Sequence, residues 1–246
     1  MKKSVFVLLV VCAAMSSCQT QKNGSQSSYN LLSNDFRNVP LQTKTFDTGS
    51  FSGISVGSVM KVVIRKSAEN KVVVTSNAMQ YVVVRNVGGI LKLTYDTPRK
   101  GLSNVNTEVV VYTDGFRSLK GSSTAKITMD EGLQLKQLSV ELDGAAKLEG
   151  GITAQQLAIE LDGAAKINTK VKGSELKVKL DGASKLSADI DVSKLVVDAD
   201  SASKSSFSGR AEDVNVEAGN VSKVDITKLS LQTLHTQTST LAKISR

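Results

Sequence analysis

Apolar and polar residues alternate regularly in the C-terminal half of the chain. In one segment Leu138, Val140 and Leu142 are separated by Ser139 and Glu141. A period of two is typical of a strand that buries one face and exposes the other. The same triplet of apolar positions recurs at Leu157, Ile159, Leu161; Leu176, Val178, Leu180; Leu195, Val197, Ala199; and Val214, Val216, Ala218. The pattern therefore predicts a series of half-buried strands.

A short motif follows each of these strands and ends it. Its clearest copies are 143–148 (DGAAKL), 162–167 (DGAAKI) and 181–186 (DGASKL), and weaker copies are 122–127 (SSTAKI), 200–204 (DSASK), 219–224 (GNVSKV) and 239–244 (STLAKI). Glycine accepts a positive φ and aspartate bonds to the backbone of its own turn, so the motif predicts a tight turn. A second strand follows, in which Ala146 and Leu148 share the inner face and Lys147 points outward.

The motif recurs with a nearly constant period. Its lysines are Lys126, Lys147, Lys166, Lys185, Lys204, Lys223 and Lys243, at intervals of 21, 19, 19, 19, 19 and 20 residues. A fixed period indicates a solenoid, and about 19 residues accommodate two strands and a looser third side. We therefore predict an all-β fold, a single-stranded, right-handed parallel β-helix with about 19 residues per coil. A leucine-rich repeat would need leucine and asparagine columns, and helical repeats need more than about thirty residues.

Residues 46–116 are also rich in β patterns but lack the repeat, which we assign to 117–246. Apolar runs recur there at short intervals, with no helical stretch between them. Two interpretations remain open: irregular coils at the start of the stack, or an antiparallel sheet that caps it. Some cap is expected, because an open coil end exposes an unpaired strand edge.

The N-terminus has the pattern of an export signal. A basic start, residues 1–3, precedes an apolar run of about eleven residues, which as a helix covers only about 17 Å of a bilayer core about 30 Å thick. The small residues before Cys18 resemble a bacterial lipobox. This resemblance implies that residues 1–17 are a cleaved lipoprotein signal peptide and that Cys18 is lipidated; an ordinary signal peptide with incidental cysteines is the alternative.

Residues 18–45 are predicted to contain the lipidated cysteine and a flexible tether, because the segment after Cys18 is polar and rich in Gln and Ser. Gln19 stands where an aspartate would stand in one known sorting pattern. By resemblance to such patterns, we expect an exported protein anchored to the outer membrane, on the periplasmic side rather than at the cell surface.

Composition restricts the possible chemistry. The chain has one histidine, no tryptophan and 4% aromatic residues, and its only cysteines are Cys12 and Cys18. Most histidine triads and all thiolate sites are therefore excluded from the folded body, and stacking on bases is poorly supported. Without Lys2 and Lys3 the formal net charge falls from +8 to +6. We expect no cofactor, no metal site and no nucleic-acid partner; the expected partners are the membrane, through the anchor, and a protein or glycan whose identity stays open.

The seven motif lysines are predicted to form a column on the outer surface. Ammonium groups about 5 Å apart in water repel by about 0.8 kcal/mol, so the lysines need partners or must splay apart. Possible partners are Asp143, Asp162, Asp181 and Asp200, and the acidic column Glu141, Glu160, Asp198 and Glu217. Paired in this way, the column is simply a solvated face. The alternative is a strip that binds a polyanion.

Some polysaccharide lyases and hydrolases are β-helices, so a glycan-binding or polysaccharide-active protein is the alternative function. The repeated aspartates could imitate such a site, but a catalytic carboxyl pair needs two different environments. His235 lies on the polar phase of the last strand and is predicted to be a surface residue. We therefore predict no catalytic residues and a binding or structural module without chemistry of its own.

Three features resemble a known family: residues 51–57 (FSGISVG), residues 88–93 (GGILKL) and the repeated Leu-x-Gly-Ala-[Ala/Ser]-Lys-[Leu/Ile] units. Over residues 46–246 the chain resembles the auto-transporter adhesin head domain called the GIN domain. The resemblance implies a parallel β-helix on an exported, often lipid-anchored bacterial protein, and no catalytic residue is transferred with it. The last repeats depart from the pattern at Thr236 and Thr238, so the final coil is expected to fray or to form a polar cap.

Overall fold

The computed structural model describes residues 34–97, 101–239 and 241–246. The proposed signal peptide, Cys18 and the first part of the predicted tether lie outside the described residues. The described part is almost entirely β, with one 3-10 turn at Met79–Tyr81. The prediction of an all-β chain is therefore confirmed.

The first nine strands are β1 (Asn34–Asp35), β2 (Gln42–Asp47), β3 (Gly53–Val56), β4 (Lys61–Lys66), β5 (Lys71–Ser76), β6 (Val82–Val87), β7 (Ile90–Tyr95), β8 (Leu102–Ser103) and β9 (Thr107–Thr113). The remaining strands are β10 (Ser118–Gly121), β11 (Lys126–Met129), β12 (Gln134–Leu142), β13 (Lys147–Leu161), β14 (Lys166–Lys172), β15 (Glu175–Leu180), β16 (Lys185–Ala199), β17 (Lys204–Ala218), β18 (Lys223–Ser230), β19 (Thr233–Thr238) and β20 (Lys243–Ser245).

The C-terminal strands form a parallel β-solenoid of about seven turns with repeats roughly 19 residues apart, as predicted. Two parallel ladders run along its axis. One contains β3, β10, β12, β15, β19 and the second halves of β13, β16 and β17; the other contains β4, β11, β14, β18, β20 and the first halves of β13, β16 and β17. Each coil contributes one segment to each ladder, so equivalent residues lie beside one another.

The third side of the coil, which the sequence predicted to be looser, is regular in some coils and open in others. In three coils a single strand of 15 residues continues from one ladder into the other, in β13, β16 and β17. In three others the strand ends at this side, at residues 130–133 between β11 and β12, at Gly173 and Ser174 between β14 and β15, and at Leu231 and Gln232 between β18 and β19. The looser segment is therefore present in part of the stack and replaced by a continuous strand in the rest.

The core is built from stacked apolar columns. Val140, Ile159, Val178, Val197 and Val216 pair in register from coil to coil, and all five are buried. Their side chains form one inward column of the first ladder, as the alternation predicted. Stacking identical positions fills the interior with aliphatic groups, each contributing about 1.5 to 3 kcal/mol of hydrophobic stabilisation when fully buried.

The turns before the lysines stack as closely as the strands. Gly163 and Gly182 have φ values of 64° and 65°, in the left-handed region that glycine adopts without strain. The Ala183 amide donates to the Gly163 carbonyl of the preceding coil at 2.7 Å. A Cβ atom at Gly182 would lie 2.6 Å from that same oxygen. The motif therefore selects glycine for both conformation and space.

The N-terminal region combines the two arrangements that the sequence left open. The coil formed by β3 and β4 lies inside the stack, with β10 and β11 on one side and β7 and β9 on the other, all in parallel register. Beyond it the pairing becomes antiparallel, between β6 and β7 and through β2, β5 and β9. One irregular coil is thus followed by an antiparallel cap.

At the opposite end, β19 and β20 form the last described coil. Thr236 and Thr238 are exposed there, whereas the equivalent residues of the preceding coil, Val216 and Ala218, are buried. The threonines therefore give the open end a polar surface, as expected for a cap.

We expect Ile159→Ala to lower the free energy of unfolding by about 2 to 5 kcal/mol, because Ile159 is buried between Val140 and Val178 and its removal leaves a cavity. The exposed Lys166→Ala is the control and should cost less than about 0.5 kcal/mol. Chemical denaturation measures both. Equal losses would contradict the assigned inward and outward faces.

The inner corner next to the turns is alanine in some coils and serine in others. Ala125, Ala146 and Ala165 occupy it in the early coils and Ser184, Ser203 and Ser222 in the next three, all fully buried, and the half-buried Ala242 occupies it in the last described coil. The three serine hydroxyls have no hydrogen-bond partner among the described residues. A buried unpaired hydroxyl costs about 1 to 3 kcal/mol, so these serines weaken the later coils.

Ser203→Ala should therefore raise the free energy of unfolding by about 1 to 3 kcal/mol, since the unpaired hydroxyl disappears and alanine already fits the equivalent corner at Ala165. Ala165→Ser is the matched reverse change and should be destabilising. Both are measured by urea unfolding. A loss of stability in Ser203→Ala would contradict the assignment of an unpaired hydroxyl.

Candidate functional site

The motif lysines form one continuous row along the solenoid. Each pairs in register with the lysine of the next coil. The row also includes Lys61, which pairs with Lys126 because β4 lies beside β11. We define the lysine row as Lys61, Lys126, Lys147, Lys166, Lys185, Lys204, Lys223 and Lys243. At a strand spacing of about 4.8 Å, successive lysines are separated by one coil.

Sequence analysis missed Lys61, because the preceding residues lack the Asp-Gly motif. The signal that remains is weaker: Ser58 has a φ of 65°, the conformation of the motif glycine, and the buried Met60 replaces the corner alanine. The turn geometry is therefore retained without the sequence that marks it elsewhere.

Burial on either side makes the lysines point outward. In the copy at Lys166, the preceding Ala165 and the following Ile167 are both buried, and Lys166 is exposed. Because the strand alternates, the inner neighbours hold the backbone and the lysine faces solvent. All eight residues of the lysine row are exposed.

The seven lysines predicted from the sequence form no ion pair within 4.0 Å among the described residues. Lys61, at the end of the row, does: its Nζ lies 3.2 Å from Glu108 Oε1. Two members of the expected acidic column bind other lysines, since Glu141 pairs with Lys120 and Glu160 with Lys179. The expected pairing of the lysine column with these carboxylates is therefore not formed.

The motif aspartates bind their own turns instead. The Gly163 amide donates to Asp162 Oδ1 at 2.5 Å, and the Gly182 amide donates to Asp181 Oδ1 at 2.6 Å. Asp143 and Asp200 accept equivalent bonds from the next amide. These four carboxylates therefore have a structural role in their own turns.

Two of these aspartates are also tied to the next coil, Asp181 by the Ser201 hydroxyl and Asp200 by the Asn220 side-chain amide. The Ser201 hydroxyl donates to Asp181, and this bond, followed by the Gly182 amide, lowers the pKa of the Asp181 carboxyl below its ordinary value of 3.8. Because this pKa is lowered in the folded state, the ionised Asp181 carboxylate contributes fully to the free energy of unfolding at pH values above its ordinary pKa. The contribution is lost as the pH falls through the lowered pKa.

A second exposed row runs beside the lysine row, two residues further along each strand. We call Glu149, Asn168, Ser187, Ser206 and Asp225 the polar row; its members are in register from coil to coil. A shallow open groove lies between the two rows from Lys147 to Ser206. Its floor is the buried column that includes Leu148, Ile167 and Leu186.

The polar row is acidic at its ends and neutral in its middle. Hydrogen bonds from the Thr227 hydroxyl and amide lower the pKa of the Asp225 carboxyl, and Lys228 and Lys243 lower it further. Asp225 is therefore firmly ionised next to Lys223. The central lysines Lys166, Lys185 and Lys204 have only an amide or a hydroxyl beside them in this row.

Other lysines on the same surface have acidic neighbours. Lys170 pairs in register with Asp189, and Lys172 with Asp191. Lys194 stands between Glu175 and Asp213 on adjacent strands. Opposite charges side by side stabilise a sheet and like charges destabilise it, so the lysine row departs from its surroundings.

His235 is exposed on β19, in register with Asn215. In the described ranges no group of three or more His, Cys, Asp and Glu side chains is arranged to hold a metal ion. The same part of the chain contains no helix long and apolar enough to cross a bilayer.

A family described as "Putative auto-transporter adhesin, head GIN domain" matches residues 50–170 and again residues 162–245. The chain belongs to this family. The two matches together cover the irregular coil and the regular repeats, and they confirm the resemblance found in the motifs. Membership in this adhesin family indicates an exported or surface-associated protein and favours a role other than catalysis.

Solved structures share the fold of this GIN-domain chain at low sequence identity. A structure described as a "putative adhesin" from Bacteroides fragilis aligns with a TM-score of 0.69 and 13% identity, covering 86% of this chain and 99% of that one. Another "putative adhesin", from Parabacteroides merdae, gives a TM-score of 0.58 and 12% identity, covering 85% and 96%. A structure described as a "Putative lipid binding protein", from Parabacteroides distasonis, gives 0.53 and 11%, covering 86% and 98%. No curated protein sequence matches the chain significantly.

Proposed function

We propose that this GIN-domain chain is a cell-envelope lipoprotein whose β-helical body is a non-catalytic, adhesin-like binding module. The observation that carries the proposal is the repetition of surface chemistry, since successive coils present a lysine at the same outward position. Such a surface suits an extended partner that makes the same contact several times. The family membership supports the adhesin-like part of the proposal.

The environment of the repeated carboxylates supports a non-catalytic role. Asp143, Asp162 and Asp181 are exposed, and all accept a hydrogen bond from the amide of the following glycine. Hydrolysis at a sugar uses one carboxyl that is protonated and one that is ionised. Asp181 differs from the others in also accepting a bond from Ser201, but this bond lowers its pKa, whereas a carboxyl held in the protonated form needs a raised one.

The anchor completes the proposal. Lipid on Cys18 holds the body at the outer membrane, on the periplasmic side, and the polar segment after Cys18 separates the two. This part is supported by the basic start, the short apolar run and the small residues ahead of Cys18 in the sequence.

A screen of the purified chain against envelope polysaccharides tests the binding role. We expect retention on at least one polysaccharide without release of smaller products. Asp162→Asn is the variant for the enzymatic alternative, because the amide preserves the turn but cannot act as an acid or base. Product formation by the wild type that disappears in Asp162→Asn would overturn the non-catalytic proposal.

The anchor is tested by Cys18→Ala. We expect the variant to leave the membrane fraction and to retain the far-ultraviolet circular dichroism of the wild type, because the altered residue precedes the first described strand, Asn34–Asp35, in the sequence. Ser17→Ala is a matched control, since it keeps a small residue ahead of the cysteine and should remain in the membrane fraction. Unchanged fractionation of Cys18→Ala would contradict lipidation at this residue.

A further inference from the structure

We infer that the central lysine row, Lys166, Lys185 and Lys204, binds a linear anionic polymer that lies along the solenoid axis with about one acidic group per coil. The inference rests on the proposed function and names the chemical class of its ligand. Four features support it: the charges around the row, the composition of the groove, the shape of the charged surface and the spacing of the coils.

The row has a uniform charge. Lys166 pairs in register with Lys185, and Lys185 with Lys204, so each lysine projects from a strand position directly beside another. In water, two ammonium groups about 5 Å apart repel by about 0.8 kcal/mol. Nearby Lys170 and Lys172 avoid this cost by pairing in register with aspartates. An anionic chain along the row would replace the repulsion by attraction at every coil.

The groove beside these three lysines offers neutral hydrogen-bonding groups. Asn168, Ser187 and Ser206 are exposed along it and supply an amide and two hydroxyls as neutral hydrogen-bonding groups. Glu149 and Asp225 flank this neutral stretch and repel anions at either end. The favourable window for an acidic chain is therefore three to four coils long and open to solvent on its outer side.

The positive surface formed by the lysine row is narrow. The lysine row is one residue wide, with the turn aspartates such as Asp162 and Asp181 on one side and the polar row on the other. A flat anionic bilayer laid on this face would meet these carboxylates together with the lysines. A single chain along the axis meets the lysines and the neutral polar groups, so a linear polymer fits better than a membrane surface.

The spacing of the lysines along the axis restricts the kind of polymer that fits the row. Successive lysines are about 4.8 Å apart along the axis. Duplex DNA carries a charge about every 1.7 Å of its axis, and nucleic-acid strands bind proteins by stacking bases on aromatic rings. The groove is lined by no aromatic residue in the described chain. Polymers with one carboxylate per sugar, such as polyuronates, match the row more closely; in polyphosphate, successive phosphorus atoms share one bridging oxygen, so its charges are more closely spaced than the lysines.

The test uses the full chain in a neutral detergent and two variants that each remove three positive charges. The central variant combines Lys166→Gln, Lys185→Gln and Lys204→Gln; the control variant combines Lys170→Gln, Lys172→Gln and Lys194→Gln, all exposed and all beside acidic residues. The probes are oligogalacturonate and inorganic polyphosphate long enough to span the row, and the uncharged control probe is maltodextrin of similar length. Dissociation constants are measured at several salt concentrations.

We expect at least one anionic probe to bind the wild type and maltodextrin not to bind. The central variant should weaken binding at least about tenfold and reduce the slope of log K against log salt by about 2, as expected for three lost contacts to a single strand. The control variant should weaken binding less than about threefold. Comparison of the two anionic probes assigns carboxylate or phosphate as the preferred group.

Three results would overturn the inference. Equal losses in the two variants would mean that only net charge matters. Binding to phosphatidylglycerol vesicles without binding to either soluble polymer would mean that the row contacts a membrane surface. Retention of the wild type on a neutral polysaccharide in the screen, with no affinity for either anionic probe, would remove the lysine row as the site and leave the proposed binding function intact.

Discussion

The stacking of each coil on the preceding one, in parallel register, is the constraint on which the other features depend. A strand-to-strand hydrogen-bond ladder brings each residue beside its equivalent about 19 residues away. One repeat therefore determines a whole column of side chains. Apolar inner positions become a continuous core, as at Ile159, and outer positions become rows of identical groups, as at Lys166.

The turns maintain this register. A coil that slipped by one residue would turn its apolar side chains outward, so the strands resist slippage, and the turns add a close contact between successive backbones. Gly182 lies so near the carbonyl of Gly163 that a side chain would collide with it. In four of the turns an aspartate holds the turn through the next amide, which is why these carboxylates repeat at the same interval as the lysines beside them without pairing with them.

The free energies of charge repulsion and of apolar burial explain how the fold tolerates the lysine row. Repulsion between neighbouring ammonium groups in water is about 0.8 kcal/mol, and burial of one valine, leucine or isoleucine contributes about 1.5 to 3 kcal/mol. Every coil buries several such side chains, so the core outweighs the row. The surface rows can therefore vary in chemistry without loss of the fold, and a uniform positive row can persist because the core beneath it determines stability.

The sequence by itself determined the strands, the period, the inward columns and the row from Lys126 to Lys243, because alternation and repetition are local patterns that any stacked coil must obey. Tertiary structure alone decided three other points. Lys61 joined the row since β4 pairs with the distant β11, and no local pattern encodes that pairing. The first strands divided between a coil and an antiparallel cap, because the partner of an edge strand depends on where the chain returns. Asp162 bound its own turn amide rather than a lysine, since the turn holds that amide within 2.5 Å while the exposed lysine remains solvated.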